Sequence, residues 1–212
     1  MLHPDSRFMS AITLMADIVI LNMLLVVSCL PIVTVGAAVR AASAVARDMA
    51  AGIGSRYHLQ FFRELTLRWK PVSLFWGLFA VLSALLVYQQ FVVFQAGVGG
   101  AALTVIQALA LSGAFIIAGI SVWFFGLAST RGEDRGEDRG FADYFTAATL
   151  MAFRFLGRTV LAVAILVAAA AVIVALPIAW AVPLTFFFVP AFAIYLIRLV
   201  IAGPLGEQLG VD

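Results

Sequence analysis

Charged residues are absent from three long stretches of the chain. Between Asp17 and Arg40 lie 22 residues without Asp, Glu, Lys, Arg or His, between Lys70 and Arg131 lie 60, and between Arg158 and Arg198 lie 39. An ionised group at the centre of a bilayer costs roughly 2.5–3.5 kcal/mol on insertion scales, so charge-free runs map the membrane. A span takes about 20 residues, each rising about 1.5 Å, to cross about 30 Å of hydrocarbon. The three stretches therefore hold one, two and two spans. Gly97, Gly99 and Gly100 in QAGVGGAA divide the second stretch. In the third, the prolines of PIAWAVP, Pro177 and Pro183, end one helix and start the next. The spacing predicts spans over 11–33, 72–94, 103–127, 158–176 and 184–202. These runs are continuous and lack the period-two alternation of a transmembrane strand, so they are read as helices. The expected fold is all-α: one polytopic membrane helix bundle over residues 1–212, with five transmembrane helices. Two cytoplasmic segments, 34–71 and 128–157, carry short amphipathic helices.

Composition removes the soluble alternative. Of 212 residues 64% are hydrophobic and 11% charged, against about 25% charged in a soluble domain. The mean hydropathy is +1.11, and so little polar surface cannot cover a water-exposed globule. Basic residues then set the orientation, because they are retained on the cytoplasmic side. All but Arg7 fall in the two segments after spans one and three or at the end of span five. The N-terminus is expected outside and the C-terminus inside. Trp69, Trp76 and Trp123 then lie near the cytoplasmic interface and Trp180 near the outer one. The run Val26–Cys29 fits a lipoprotein cleavage pattern, but cleavage there would leave most of the basic residues outside. A net charge of +2, distributed by the membrane rule, gives no support for nucleic-acid binding.

The first cytoplasmic segment opens with GAAVRAASAVARDMAAG, an Ala-rich helix former running from near Thr34 to the glycines at 52 and 54. Ser55 is placed to cap a second helix, on which Leu59, Phe62, Leu65 or Thr66, and Trp69 line one face. Arg56, Arg63 and Arg68 flank that face and Lys70 follows it. Arg56, Arg63, Arg68, Trp69 and Lys70 are therefore candidates for docking an anionic leaflet or a partner; the alternative is a plain juxtamembrane anchor. In the second segment RGEDRGEDRG carries Glu133, Asp134, Glu137 and Asp138. Interleaved arginines and glycines make these carboxylates a solvated linker rather than a metal site. Beyond it Phe141, Phe145, Ala148, Ala152 and Phe155 recur at helical spacing. The order of amphipathic helix and then two spans thus occurs twice, as either an internal duplication or the common form of a short membrane helix before a span would give.

Polar residues inside a span are expensive, so the few present are candidates for function. Asp17 and Asn22 both lie on the first span, about 140° apart around the helix. Asp17 suits a proton or cation site, an interhelical hydrogen bond or exposure near the interface; Asn22 suits a tie between helices. No catalytic constellation is legible. The histidines are His3 and His58, on opposite sides of the expected membrane, and the single lysine, Lys70, stands in RWKP rather than in a phosphate-binding loop. Neither a GxSxG nor a CxxC motif occurs. No catalytic residue, cofactor or metal site is assigned.

The run DIVILN from Asp17 to Asn22, followed by LPIVTVGA from Leu30 to Ala37, resembles the signature of the YesL family of small bacterial multi-span membrane proteins. Similarity extends through Gly54, Ser55, Arg56, Phe61 and Phe62, about the first third of the chain. That family has no established biochemical function. The resemblance implies an all-helical protein of the bacterial cytoplasmic membrane, associated with carbohydrate uptake systems that often use ABC transporters. The motif also has a local physical sense: Pro31 disfavours further helix, Thr34 can cap the next one, and Gly36 permits close approach as it begins. The expected function is that of a non-enzymatic accessory or regulatory component of carbohydrate ABC-type uptake. Expected partners are the lipid bilayer, transporter subunits or further copies of the chain. A permease subunit is disfavoured because the cytoplasmic segments lack the EAA-and-glycine loop that grips the ATPase. The alternative is a small oligomeric transporter or channel.

Overall fold

The computed structural model describes residues 4–54, 56–67, 69–130, 140–207 and 209. His3, Ser55, Arg68 and the acidic repeat at 131–139 lie outside them. The described residues form α1 (Pro4–Ser28), α2 (Val35–Ala50), α3 (Tyr57–Thr66), α4 (Trp69–Gln95), α5 (Gly100–Ala128), α6 (Phe141–Arg154), α7 (Leu156–Ala175), α8 (Ile178–Phe187) and α9 (Val189–Ile201). No strand occurs among them. Four helices are long and apolar enough to cross a membrane: α1 through Ala11–Ser28, α4, α5 and α7. The pair α8 and α9 passes the same test together, bent by 54° at its break.

The glycine turn between α4 and α5 forms as its composition dictates, with Gly97 at φ 60° and Gly100 at φ 65°, values open to glycine. The prolines act differently from the expectation. Pro177 does precede α8, but Pro183 lies inside that helix, so the last apolar segment begins at Ile178 rather than at residue 184. Its interruption falls instead at Phe188 (φ −142°, ψ −53°), two residues before Pro190 in the first turn of α9. Proline lacks the N–H that residue 186 would need four positions later, and its ring crowds that carbonyl.

Helix α2 lies within the cytoplasmic segment of the charge map, yet it is the most enclosed element. Every residue except Val35 and Val39 is buried. It folds back along α1, and Ile18, Leu21 and Leu25 join Ala38, Ala41, Ala42, Val45 and Met49 in one core with Phe61 of α3 and Ala191 of α9. Its alanines let neighbouring backbones approach closely, which is how helices associate when lipid supplies no hydrophobic drive. The hydrogen bond from Arg40 to Glu64 and that from Gln60 to Asp48 fix α3 antiparallel to α2. A second core joins α4, α5, α6, α7 and α9. There Phe75 stacks on Phe124 with ring centroids 3.9 Å apart, and the fully buried Trp123 donates from Nε1 to the hydroxyl of Thr159. Trp123 is therefore a core residue and not an interfacial anchor. Helix α6 belongs to this core through Tyr144, Ala148 and Ala152. By contrast α4, 27 residues long, buries only Val72 and Phe75.

Candidate functional site

Two polar constellations lie inside the bundle. The first is built around Asn22, whose side chain is fully buried. The break between α8 and α9 strands three backbone groups: the carbonyls of Thr185 and Phe186, and the N–H of Ala191. The Asn22 amide meets all three. Its Nδ2 donates to Thr185 O at 2.9 Å and to Phe186 O at 2.7 Å, while its Oδ1 accepts from Ala191 N at 2.7 Å. A primary carboxamide has donor and acceptor sites in the same pattern as a peptide group, so one side chain substitutes for the missing helical turn. In hydrocarbon that substitution is required, because no water reaches the freed groups.

The second constellation gathers where α5 and α9 end, against α2 and α3. Arg198 is buried in α9; its Nη1 donates to Gly126 O at 2.9 Å and its Nη2 pairs with Glu207 Oε1. Arg47 donates from Nε to Asp48 Oδ1 at 2.8 Å and from Nη1 to Ser129 O. Asp48 also accepts from Gln60 Nε2. Arg40 bonds Glu64 Oε2 at 3.0 Å. Two guanidinium groups thus cover carbonyls at the C-terminal end of α5, Gly126 in its last turn and Ser129 at its C-cap, where the helix dipole favours cations. Three arginines are each paired with a carboxylate, while Arg198 Nε and Glu207 Oε2 are buried without a hydrogen-bond partner among the described residues. Burial pushes the Glu207 carboxyl above its ordinary value of 4.5, opposed by the adjacent Arg198 and Arg47. Arg158, at the start of α7, donates to Val200 O at 3.1 Å and lies against Gly203. The chain that leaves α7 at Ala175 therefore returns, through α8 and α9, to the level at which α7 began.

The individual candidates are distributed over both constellations and the surface. Asn22 holds the break, whereas Asp17 is partly exposed on α1. The carboxylate of Asp17 acts with Asp48 on the phenol of Tyr57, which burial, the larger cause, also pushes up. Pro31 is an exposed residue ahead of a short 3-10 turn, Ile32–Thr34. Thr34 makes no cap bond to α2; its hydroxyl lies 2.5 Å from Ser28 O and 2.8 Å from Pro31 O, closing the turn behind it instead. A Cβ on Gly36 would meet Trp76 Cβ at 2.8 Å and Val72 O at 3.1 Å, so this glycine sets the contact of α2 with α4. The Trp76 indole donates to Ile32 O at 2.8 Å beside it. Arg56, Arg63, Trp69 and Lys70 are exposed. Trp69 begins α4 rather than closing α3, and the buried residue of α3 is Phe61, with Leu59 and Phe62 outward.

Sequence reasoning counted Arg40, Arg47 and Arg198 toward orientation and missed them as a cluster. A signal was present. Arg40, Ser43 and Arg47 recur on one face of a helix otherwise made mostly of alanine and valine, and Arg198 interrupts the apolar run IYLIRLVI. Among the described residues no group of three or more His, Cys, Asp or Glu could hold a metal ion.

Fold and constellations together define a helical membrane protein, with four helices long and apolar enough to span, or five if the bent pair is one span. Residues 18–89 match the family described as "Protein of unknown function, DUF624". The match runs from the middle of α1 through α2 and α3 into α4, and so contains Asn22, Arg40, Arg47 and Glu64. No curated protein and no solved structure matches the chain significantly.

Proposed function

We propose that the protein is a non-enzymatic accessory or regulatory component of carbohydrate ABC-type uptake in the bacterial cytoplasmic membrane, of the kind its resemblance to the YesL family implies. The observation that carries the non-catalytic part is the use of its buried polar groups. Asn22 is consumed by the α8–α9 break, and the arginines of the second constellation are engaged with carboxylates and helix-end carbonyls. Interior chemistry of this kind holds helices together and leaves the outer surface for recognition. That surface offers the basic and apolar face of α3 and the start of α4, with Arg56, Arg63, Trp69 and Lys70. Arg158 beside Val200 supports reading α8 and α9 as one broken span, the fifth, with the arginine-bearing end in the cytoplasm. The test is gentle extraction of the tagged protein from its host, grown on several plant sugars, and mass spectrometry of what co-purifies at fixed stoichiometry. Transporter subunits that are lost on combined Arg56→Ala, Arg63→Ala and Lys70→Ala substitution support the reading; recovery without them in every condition contradicts it.

One observation favours a second reading. Discontinuous helices mark the substrate sites of many transporters, and α8–α9 is such a helix. A transporter requires flux by the protein alone in liposomes, lost on Asp17→Asn with the fold intact.

A further inference from the structure

Of the four glutamines of the α4–α5 hairpin, at 89, 90, 95 and 107, two face each other across it. Gln90 lies about 10 Å and Gln107 about 12 Å from the middle of their respective spans, at 1.5 Å per residue, inside a hydrocarbon layer of about 30 Å. Gln107 Nε2 donates to Gln90 Oε1 at 3.0 Å. That single bond leaves the Gln90 NH2 and the Gln107 carbonyl oxygen without partners among the described residues, and lipid tails supply neither donors nor acceptors. Beside the pair runs a groove of about 390 Å³ between the two helices, lined by Leu86, Val87 and Leu111 and by the small residues Ala110 and Ala114. Among the described residues no other helix covers this part of the hairpin: Val87 is 70% and Leu111 71% exposed.

We propose that this face of the hairpin is the interface with a second copy of the chain, related by a two-fold axis along the membrane normal. Two features select a second copy over another occupant. A carboxamide is its own complement, so the free NH2 of one Gln90 matches the free carbonyl of the partner's Gln107. The bilayer also holds both copies at one depth, so an axis along its normal brings each glutamine pair opposite the other without any further adjustment. Ala110 and Ala114 permit the close approach, and the apolar walls of the groove receive the facing helix. This inference is independent of the accessory role.

The experiment reads the monomer–dimer equilibrium by single-molecule photobleaching of the full chain in liposomes over a range of protein-to-lipid ratios. Dimers are expected, weakened roughly eightfold to three-hundredfold by Gln107→Leu or Gln90→Leu, because each substitution removes both symmetry-related bonds between the copies. A second measurement does not depend on removing the glutamines. In a Cys29→Ser background, Leu111→Cys is expected to crosslink between copies, and Val174→Cys, 84% exposed on α7, is not. Monomers at every ratio overturn the proposal. Equal crosslinking at both positions also overturns it, as do dimers indifferent to both glutamines. Loss of a foreign membrane subunit on Gln107→Leu, from a chain that is itself monomeric, overturns it in favour of a different partner.

Discussion

Helices α2 and α4 invert the usual relation between apolarity and burial. Helix α2 carries two arginines and an aspartate among alanines, and is buried almost throughout. Helix α4 is built from Leu, Val, Phe and Trp and buries two side chains of 27. In water the large apolar residues go inside. In a bilayer the solvent is as apolar as leucine, so size and hydrogen bonding decide instead. Small side chains and paired polar groups mark protein contact, and large apolar ones mark lipid.

The contrast can be broken at its strongest point by Asn22→Leu, which strands two carbonyls and one N–H at the α8–α9 break. A loss of about 3–5 kcal/mol is expected at 1–3 kcal/mol per unsatisfied group with partial relaxation, read as a fall in unfolding midpoint in lipid nanodiscs. Next comes Arg198→Met, which leaves Glu207 facing Arg47 alone and costs about 3 kcal/mol. The double variant with Glu207→Leu recovers most of that loss, because the unpaired charge is the cause. Ala42→Leu then overpacks the α1–α2–α9 contact, at about 1–3 kcal/mol. At the other end of the scale Leu85→Ala, on the exposed face of α4, changes stability by less than about 0.5 kcal/mol.

A pH titration sharpens the polar side of the comparison. The folded chain holds the Glu207 proton more tightly than the unfolded one, whose carboxyl has the ordinary value of 4.5. Between those two values the native state binds more protons, so stability falls as pH rises through the interval and stays lower above it. Glu207→Gln is expected to flatten that part of the stability profile, measured as unfolding midpoint from pH 4 to 8.

Much of the architecture was legible because the cost of charge in lipid writes the spans directly into the sequence. The glycine turn at 97–100 and the limits of α2 near Thr34 and Gly52 followed from local chemistry alone. Pro177 does follow the end of α7 as expected, but the break at Phe188 inside the last segment was not foreseen, because Pro183 looked like a helix start. Yet Pro183 is carried within α8, and Pro190 is the residue whose missing N–H strands Phe186. The role of Asn22 could be narrowed to a helix tie from its span position, but its partners lie more than 160 residues away. The arginine cluster was hidden by a rule that counts basic residues for orientation and ignores their faces. On α2 that face, with Arg40, Ser43 and Arg47, was legible at helical spacing, with Asp48 beside it.

The central claim is that α2 is a core helix of the bundle. It is tested most directly by single cysteines at Ala38, Ala41, Ala44 and Val45 of α2 and at Leu78, Val81 and Leu85 of α4, in a Cys29→Ser background in native membranes. Each is probed with a membrane-impermeant maleimide on opened vesicles, and lipid exposure is read separately as insertion of a lipid-soluble photoactivated carbene, because a thiol in hydrocarbon stays protonated and does not add to a maleimide. The account predicts that the α2 positions resist both reagents while those of α4 take up the carbene. Labelling of α2 by the impermeant reagent, at every third or fourth residue as on a water-facing amphipathic helix, would contradict it.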